Sequence, residues 1–127
     1  MTGLNYQGLA MVTKNHEASE KLTERLRGTN YGDPRDYGDI INGCFGLSGE
    51  VGEFNDMVKK WIFHDSEFNI EHAKKELGDV CWYIALICEG FGWNLDEIMQ
   101  MNIDKLKERY PQGFDIYMSN NRREGDI

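Results

Sequence analysis

Apolar side chains recur at spacings of three and four along most of this 127-residue chain, the pattern of helices that each turn one face inward. Over residues 4–27, Leu4, Leu9, Ala10, Thr13, Ala18, Leu22 and Leu26 predict a first amphipathic helix, with Gly28 as its stop. Residues 28–38 hold Gly32, Asp33-Pro34 and Gly38, turn chemistry that reads as a loop, and Asp39 can cap the next helix. That second helix is predicted over 40–62 although it contains Gly43, Gly46, Gly49 and Gly52, each costing up to about 1 kcal/mol relative to Ala. Glycines at that spacing permit another backbone to come close. Residues 66–69 interrupt the pattern, and Asn69 can cap a third helix running to about Gly90. Asn94, with Glu97 three residues on, predicts the start of a fourth helix that reaches about Tyr110, where Pro111 stops it. No segment alternates with the period of two that a half-buried strand shows. The expected fold is therefore all-α, a four- to five-helix bundle of antiparallel helices. It forms one domain over residues 1–118, followed by a polar tail, 119–127, expected to fray.

Between residues 80 and 88 every side chain is apolar or aromatic, so the third helix is apolar all round and has to be covered on every side. Four helices of this length can barely do that within one chain, and self-association is expected.

Two runs break the ordinary segregation of charge from apolar residues. Glu50-Val51-Gly52-Glu53-Phe54 and, 26 positions later, Glu76-Leu77-Gly78-Asp79-Val80 each carry two carboxylates three residues apart inside a helical apolar pattern. At about 100° per residue, Glu50 falls on the same side as Phe54, Met57 and Trp61, and Glu76 on the same side as Val80, Tyr83 and Ile87. Acids within an apolar stripe have to be neutralised or paired, and four converging acids call for a cation. The pattern reads as a divalent metal site between two helices. Solvated surface charges, the usual fate of Glu, would not repeat inside both stripes.

Composition narrows the chemistry. A formal net charge of -8 argues against a reader of nucleic-acid polymers, which carries a basic face, while a small polyphosphate can still bind if metal ions reverse the local field. Cys44, Cys81 and Cys88 form no C-x-x-C, which suggests neither a disulfide framework nor zinc; Cys81 and Cys88 are expected in the core. No leader pattern and no membrane-length apolar run occurs, so a reducing cytoplasm is the expected location. Oxygen-only ligands favour Mg²⁺ or Mn²⁺, with Glu50, Glu53, Glu76 and Asp79 as ligands. The Glu-x-x-His of di-iron bundles is missing, since Glu53 and Asp79 occupy the positions where His would stand. His72 reads as a surface neighbour of Glu76, and His16 and His64 as surface and loop residues. With no nucleophilic side chain at a telling spacing, the expected attacker is a water activated by the metal, which points to phosphoryl or nucleotidyl chemistry. Asn102, Lys105 and Arg109 share one face of the fourth helix and could hold a triphosphate; Lys59 and Lys60 are further phosphate candidates.

These residues resemble the all-α nucleoside triphosphate pyrophosphohydrolases of the MazG type, whose pattern is Glu-Glu-x-x-Glu followed by Glu-x-x-Asp. The resemblance rests on Phe45-Gly46-Leu47-Ser48-Gly49-Glu50-Val51-Gly52-Glu53, on Glu76-Leu77-Gly78-Asp79-Val80-Cys81-Trp82-Tyr83, and on the run from Asn102 to Pro111. The Tyr6-Gln7 opening is similar to small single-domain members. Gly49 stands where many members have the first Glu, so this chain has four acids against their five. The resemblance implies Mg²⁺-dependent hydrolysis of (deoxy)nucleoside triphosphates between the α and β phosphates, giving a monophosphate and pyrophosphate in control of the nucleotide pool. It implies that Glu50, Glu53, Glu76 and Asp79 are metal ligands, that Asn102, Lys105 and Arg109 contact substrate, and that the chain assembles as a homodimer or homotetramer with sites at protomer interfaces. An alarmone hydrolase acting on guanosine tetraphosphate, and a catalytically silent helical oligomer that binds metal or nucleotide, are the alternatives.

Overall fold

The computed structural model describes residues 3–127, and their side chains except those of residues 3, 4, 29 and 30. The first two residues of the expected domain, and the expected contact of Leu4, lie outside the described residues. Six α-helices succeed one another: α1 (Gly3–Ala10), α2 (Ala18–Asn30), α3 (Tyr37–Phe63), α4 (Ile70–Phe91), α5 (Leu95–Arg109) and α6 (Ile116–Asn120). A single 3-10 turn, Met11–Thr13, continues α1. No strand occurs among the described residues, and the all-α reading holds.

The long helices α3 and α4 pack against each other and carry the fold. Glycines set their spacing. A Cβ at Gly43 would stand 2.6 Å from Ile87 Cγ1, one at Gly46 would overlap the Tyr83 ring, and one at Gly90 would stand 2.7 Å from Ile40 Cγ1 and 3.0 Å from the Asp36 carbonyl. Residue numbers rise on α3 as they fall on α4 along this seam, so the pair is antiparallel. Asp36 N–H closes it by donating to the Gly90 carbonyl at 2.8 Å. The close approach expected of the glycine run is thus confined to Gly43 and Gly46, for nothing lies within 4 Å of a Cβ at Gly49 or Gly52.

Helix ends obey their caps. Asn69 accepts from His72 N–H at 2.9 Å and starts α4. Asn94 accepts from Asp96 N–H at 2.9 Å and starts α5, both as expected. Gly92 ends α4 at φ +76°, the left-handed conformation that glycine adopts without strain. Asp36, rather than Asp39, caps α3, its side chain taking the Asp39 N–H at 3.0 Å. The helix therefore begins three residues before the expected 40. The loop before it is held by Asp33, which accepts from the Arg35 guanidinium at 3.0 Å and from the Tyr37 hydroxyl at 2.9 Å. The Arg35 hydrogen bonds keep the Asp33 carboxyl well below its usual range.

The first expected helix is two helices. Asn15 offers its side-chain oxygen to Glu17 N–H at 3.0 Å, and Lys14 is extended, so local side-chain bonding wins over helical continuation between α1 and α2. Gly28 does not stop α2, which runs to Asn30; the Gly28 carbonyl receives Tyr31 N–H and Asp33 N–H, each at 3.0 Å.

The interior of the chain is thin. Among the described residues the buried apolar side chains are Ile40, Ala73 and Cys88. Cys81, expected in the core, is exposed, as is Cys44. No residue of α5 is buried, and Ile98, Met101, Ile103 and Leu106 stand exposed on it, as do Leu77 and Trp82 on α4. A core large enough for 127 residues is not closed within one chain, because α5 and the N-terminal helices leave much of the α3–α4 pair uncovered. No helix of the described residues is long and apolar enough to cross a membrane.

Candidate metal centre

The antiparallel seam decides what faces what: Gly46 meets Tyr83, and one turn further along α3 the Glu50 carboxyl reaches that of Glu76 on α4. Ligand oxygens of Glu50, Glu76 and Asp79 all lie within 4.8 Å of one another. Glu50 and Glu76 are half-buried, Asp79 is exposed, and Glu53, also exposed, is near enough to act on both Glu50 and Glu76. All four predicted acids thus gather at one place on the helix pair, with Glu50, Glu76 and Asp79 as its tightest group.

Two oxygens in this cluster are unsatisfied. Glu50 Oε2 and Glu76 Oε2 are both shut away from solvent with no hydrogen-bond partner, a costly state for a carboxylate. A shared proton or a cation would relieve both. With a proton, Glu50 donates to Glu76, and this bond, with burial and the charges of Glu53, Glu76 and Asp79, pushes the Glu50 pKa up to about 7. Accepting that bond lowers Glu76. With a hard divalent cation, the same oxygens would be ligands, and a purely oxygen donor set of this charge fits Mg²⁺ or Mn²⁺. The residues present therefore fit the metal that the sequence called for.

His72 enters the site, although its sequence position marked it only as a surface neighbour. Its Nε2 lies 2.9 Å from Glu76 Oε1, while the other Glu76 oxygen is the unpartnered one. The imidazole so fixes the carboxylate's rotation, the service that an outer partner gives a metal ligand. The i, i+4 spacing on α4 was the signal for it.

The candidate phosphate-binding groups are less gathered. Lys60 is taken by Asp56 at 2.7 Å, and Lys59 is exposed. Asn102 and Lys105 are exposed on α5. Arg109 is enclosed by the residues after α6, where its Nε and Nη2 donate to Asp126 at 2.9 and 2.8 Å. Among the described residues no hydrogen bond or ion pair joins Lys59, Asn102, Lys105 or Arg109 to the four acids. Within residues 119–127, the segment expected to fray, Asp126 pairs with Arg109 across 17 positions of sequence, a contact that no local pattern announces.

Comparison with known proteins bears on this geometry. The family model described as the MazG nucleotide pyrophosphohydrolase domain matches residues 44–114, a span that takes in all four acids and α5. The "Gene 37 protein" of Mycobacterium phage L5 is 37% identical over 73 residues, covering 54% of this chain and 63% of that protein. The chain thus spans less than two thirds of that relative's length. No solved structure matches.

Proposed function

Because the chain belongs to the MazG nucleotide pyrophosphohydrolase family, we propose that it hydrolyses (deoxy)nucleoside triphosphates between the α and β phosphates, releasing a nucleoside monophosphate and pyrophosphate, with Mg²⁺ as cofactor and Mn²⁺ able to replace it. The observation that carries this reading is the acid cluster, in which oxygens of Glu50, Glu76 and Asp79 lie within 4.8 Å and two buried carboxylate oxygens are without a partner. Glu50, Glu53, Glu76 and Asp79 would hold the cation. Bound there, Mg²⁺ supplies charge neutralisation at the phosphates and acidifies a water for attack.

The chain's own residues supply the rest. Glu50 would bind the cation as a carboxylate, without the proton that it otherwise shares with Glu76. His72 holds the Glu76 carboxylate in one orientation. Lys59, Lys105 and Arg109 would neutralise the substrate's phosphates and Asn102 would donate a hydrogen bond to them, none taking part in bond making. The exposed apolar side chains of α4 and α5 support self-association as a homodimer or homotetramer, which would bring a second copy's surface against the α3–α4 pair. Control of the nucleotide pool is a consequence of the reaction, since it removes a triphosphate irreversibly once pyrophosphate is consumed. The test is a panel of nucleoside triphosphates incubated with the protein and Mg²⁺, read as pyrophosphate release, with Glu53→Gln and Asp79→Asn as controls that should abolish turnover.

A further inference from the structure

We propose that residues 121–127 form a displaceable strap whose Asp126 carboxylate occupies the Arg109 phosphate seat on α5, so that the chain carries a built-in competitor for its own anionic ligand. The inference rests on the reading of Arg109 as a substrate-phosphate group and adds its regulation. Arg109 is the best-formed anion seat among the described residues. Its side chain is only 9% exposed, and its guanidinium grips Asp126 through two parallel bonds of 2.9 and 2.8 Å, the fork that also recognises two oxygens of a phosphate. Lys105 and Arg122 add positive charge at the Asp126 carboxylate, which lies below its usual pKa chiefly through the Arg109 hydrogen bonds. The surrounding cavity, about 450 Å³, is lined by Met101 and Met118 and by these cations, with Asp104, Glu108 and Glu124 also on its wall.

What fastens the strap is almost wholly ionic. The second tie, Arg123 to Glu108, is a surface pair at 3.5 Å with both side chains more than half exposed, of the kind that contributes little. Ile127, the strap's large apolar side chain, is 89% exposed and anchors nothing. Gly125 at φ +85° and the Asp126 N–H to Arg123 carbonyl bond of 3.0 Å turn the backbone so that Asp126 reaches Arg109. A carboxylate carries one negative charge, whereas a triphosphate carries several, so the external anion can displace the internal one at a cost set by how often the strap is closed. A strap closed about nine-tenths of the time weakens apparent affinity about tenfold. Release of the strap then leaves Arg122 and Arg123 free to turn toward the incoming phosphates.

Titration calorimetry of the whole protein with inorganic tripolyphosphate in the presence of a metal chelator tests this without any turnover. Asp126→Asn should bind tripolyphosphate about tenfold more tightly than the unmodified chain, and Asp126→Glu should restore affinity close to the original. In the unmodified chain, tripolyphosphate should also speed tryptic cleavage after Arg122 and Arg123, while Asp126→Asn should be cut quickly with or without it. Unchanged or weaker affinity in Asp126→Asn, with or without a lowered melting temperature, would make the pair a structural anchor and overturn the strap. The two readings separate cleanly. Pyrophosphate release with no affinity gain leaves the reaction standing and removes the strap; an affinity gain with no release does the reverse.

Discussion

Glu50 and Glu76 each keep one oxygen that neither solvent nor protein satisfies, and this gives the centre a measurable pH signature. In the cation-free protein Glu50 holds its proton up to about pH 7, whereas its ordinary value is 4.5. A raised folded-state pKa means that the folded chain binds the extra proton between those values. Stability is therefore full below about 4.5 and falls as pH rises toward 7. A divalent cation replaces the proton, so its effect should run the other way. We expect the melting-temperature gain on adding Mg²⁺ to be larger at pH 8 than at pH 5.5, with a proton released on binding at pH 5.5, seen as a buffer-dependent heat by calorimetry. Equal gains at the two pH values and no proton release would contradict the shared-proton account. The acids themselves are legible in the chain because they interrupt two apolar stripes in the same way. His72 is visible as a neighbour of Glu76 but not as its orienting partner, since i, i+4 spacing places two side chains on one face without saying which oxygen needs a donor.

At the scale of the helices, glycine has two opposite roles on α3, and a pair of substitutions distinguishes them. A methyl group at Gly46 would collide with the Tyr83 ring, whereas one at Gly52 meets nothing within 4 Å. Gly46→Ala should destabilise the chain by about 1–3 kcal/mol through overpacking, while Gly52→Ala should stabilise it by about 0.5–1 kcal/mol through helix propensity. Denaturant melts of the two variants check this, and a destabilised Gly52→Ala or a neutral Gly46→Ala would refute the seam. The run of glycines predicts a close approach, but not which of them make it, because that depends on the register of α4. Caps with a single strong local candidate, Asn69 and Asn94, are readable from sequence. The α1–α2 break and the start of α3 are not, because Asn15 and Asp36 compete with equally plausible helical continuations. The Asp126–Arg109 pair spans a distance in sequence that no local pattern encodes.

For the molecule as a whole, the exposed apolar residues of α4 and α5 are the largest departure from what a lone chain of this size should show. Trp82 is 59% exposed and Met101 63%. Sedimentation should report a mass of two or four chains, and Trp82→Lys should shift it toward one; a single-chain mass at micromolar concentration for the unmodified protein would contradict self-association. The reason in the sequence to expect self-association is an apolar run that four helices could not cover, and Ile40, Ala73 and Cys88 are the buried apolar side chains among the described residues. On the proposed function, the four acids on one helix pair would hold a cation for cleaving a nucleoside triphosphate between its α and β phosphates. Pyrophosphate release from a full panel of deoxy- and ribonucleoside triphosphates, with Mg²⁺ and with chelator, tests it most directly. The account predicts Mg²⁺-dependent pyrophosphate and monophosphate in equal amounts for at least one base, abolished in Glu53→Gln and Asp79→Asn. No pyrophosphate from any nucleotide, or release undiminished in both variants, would contradict it.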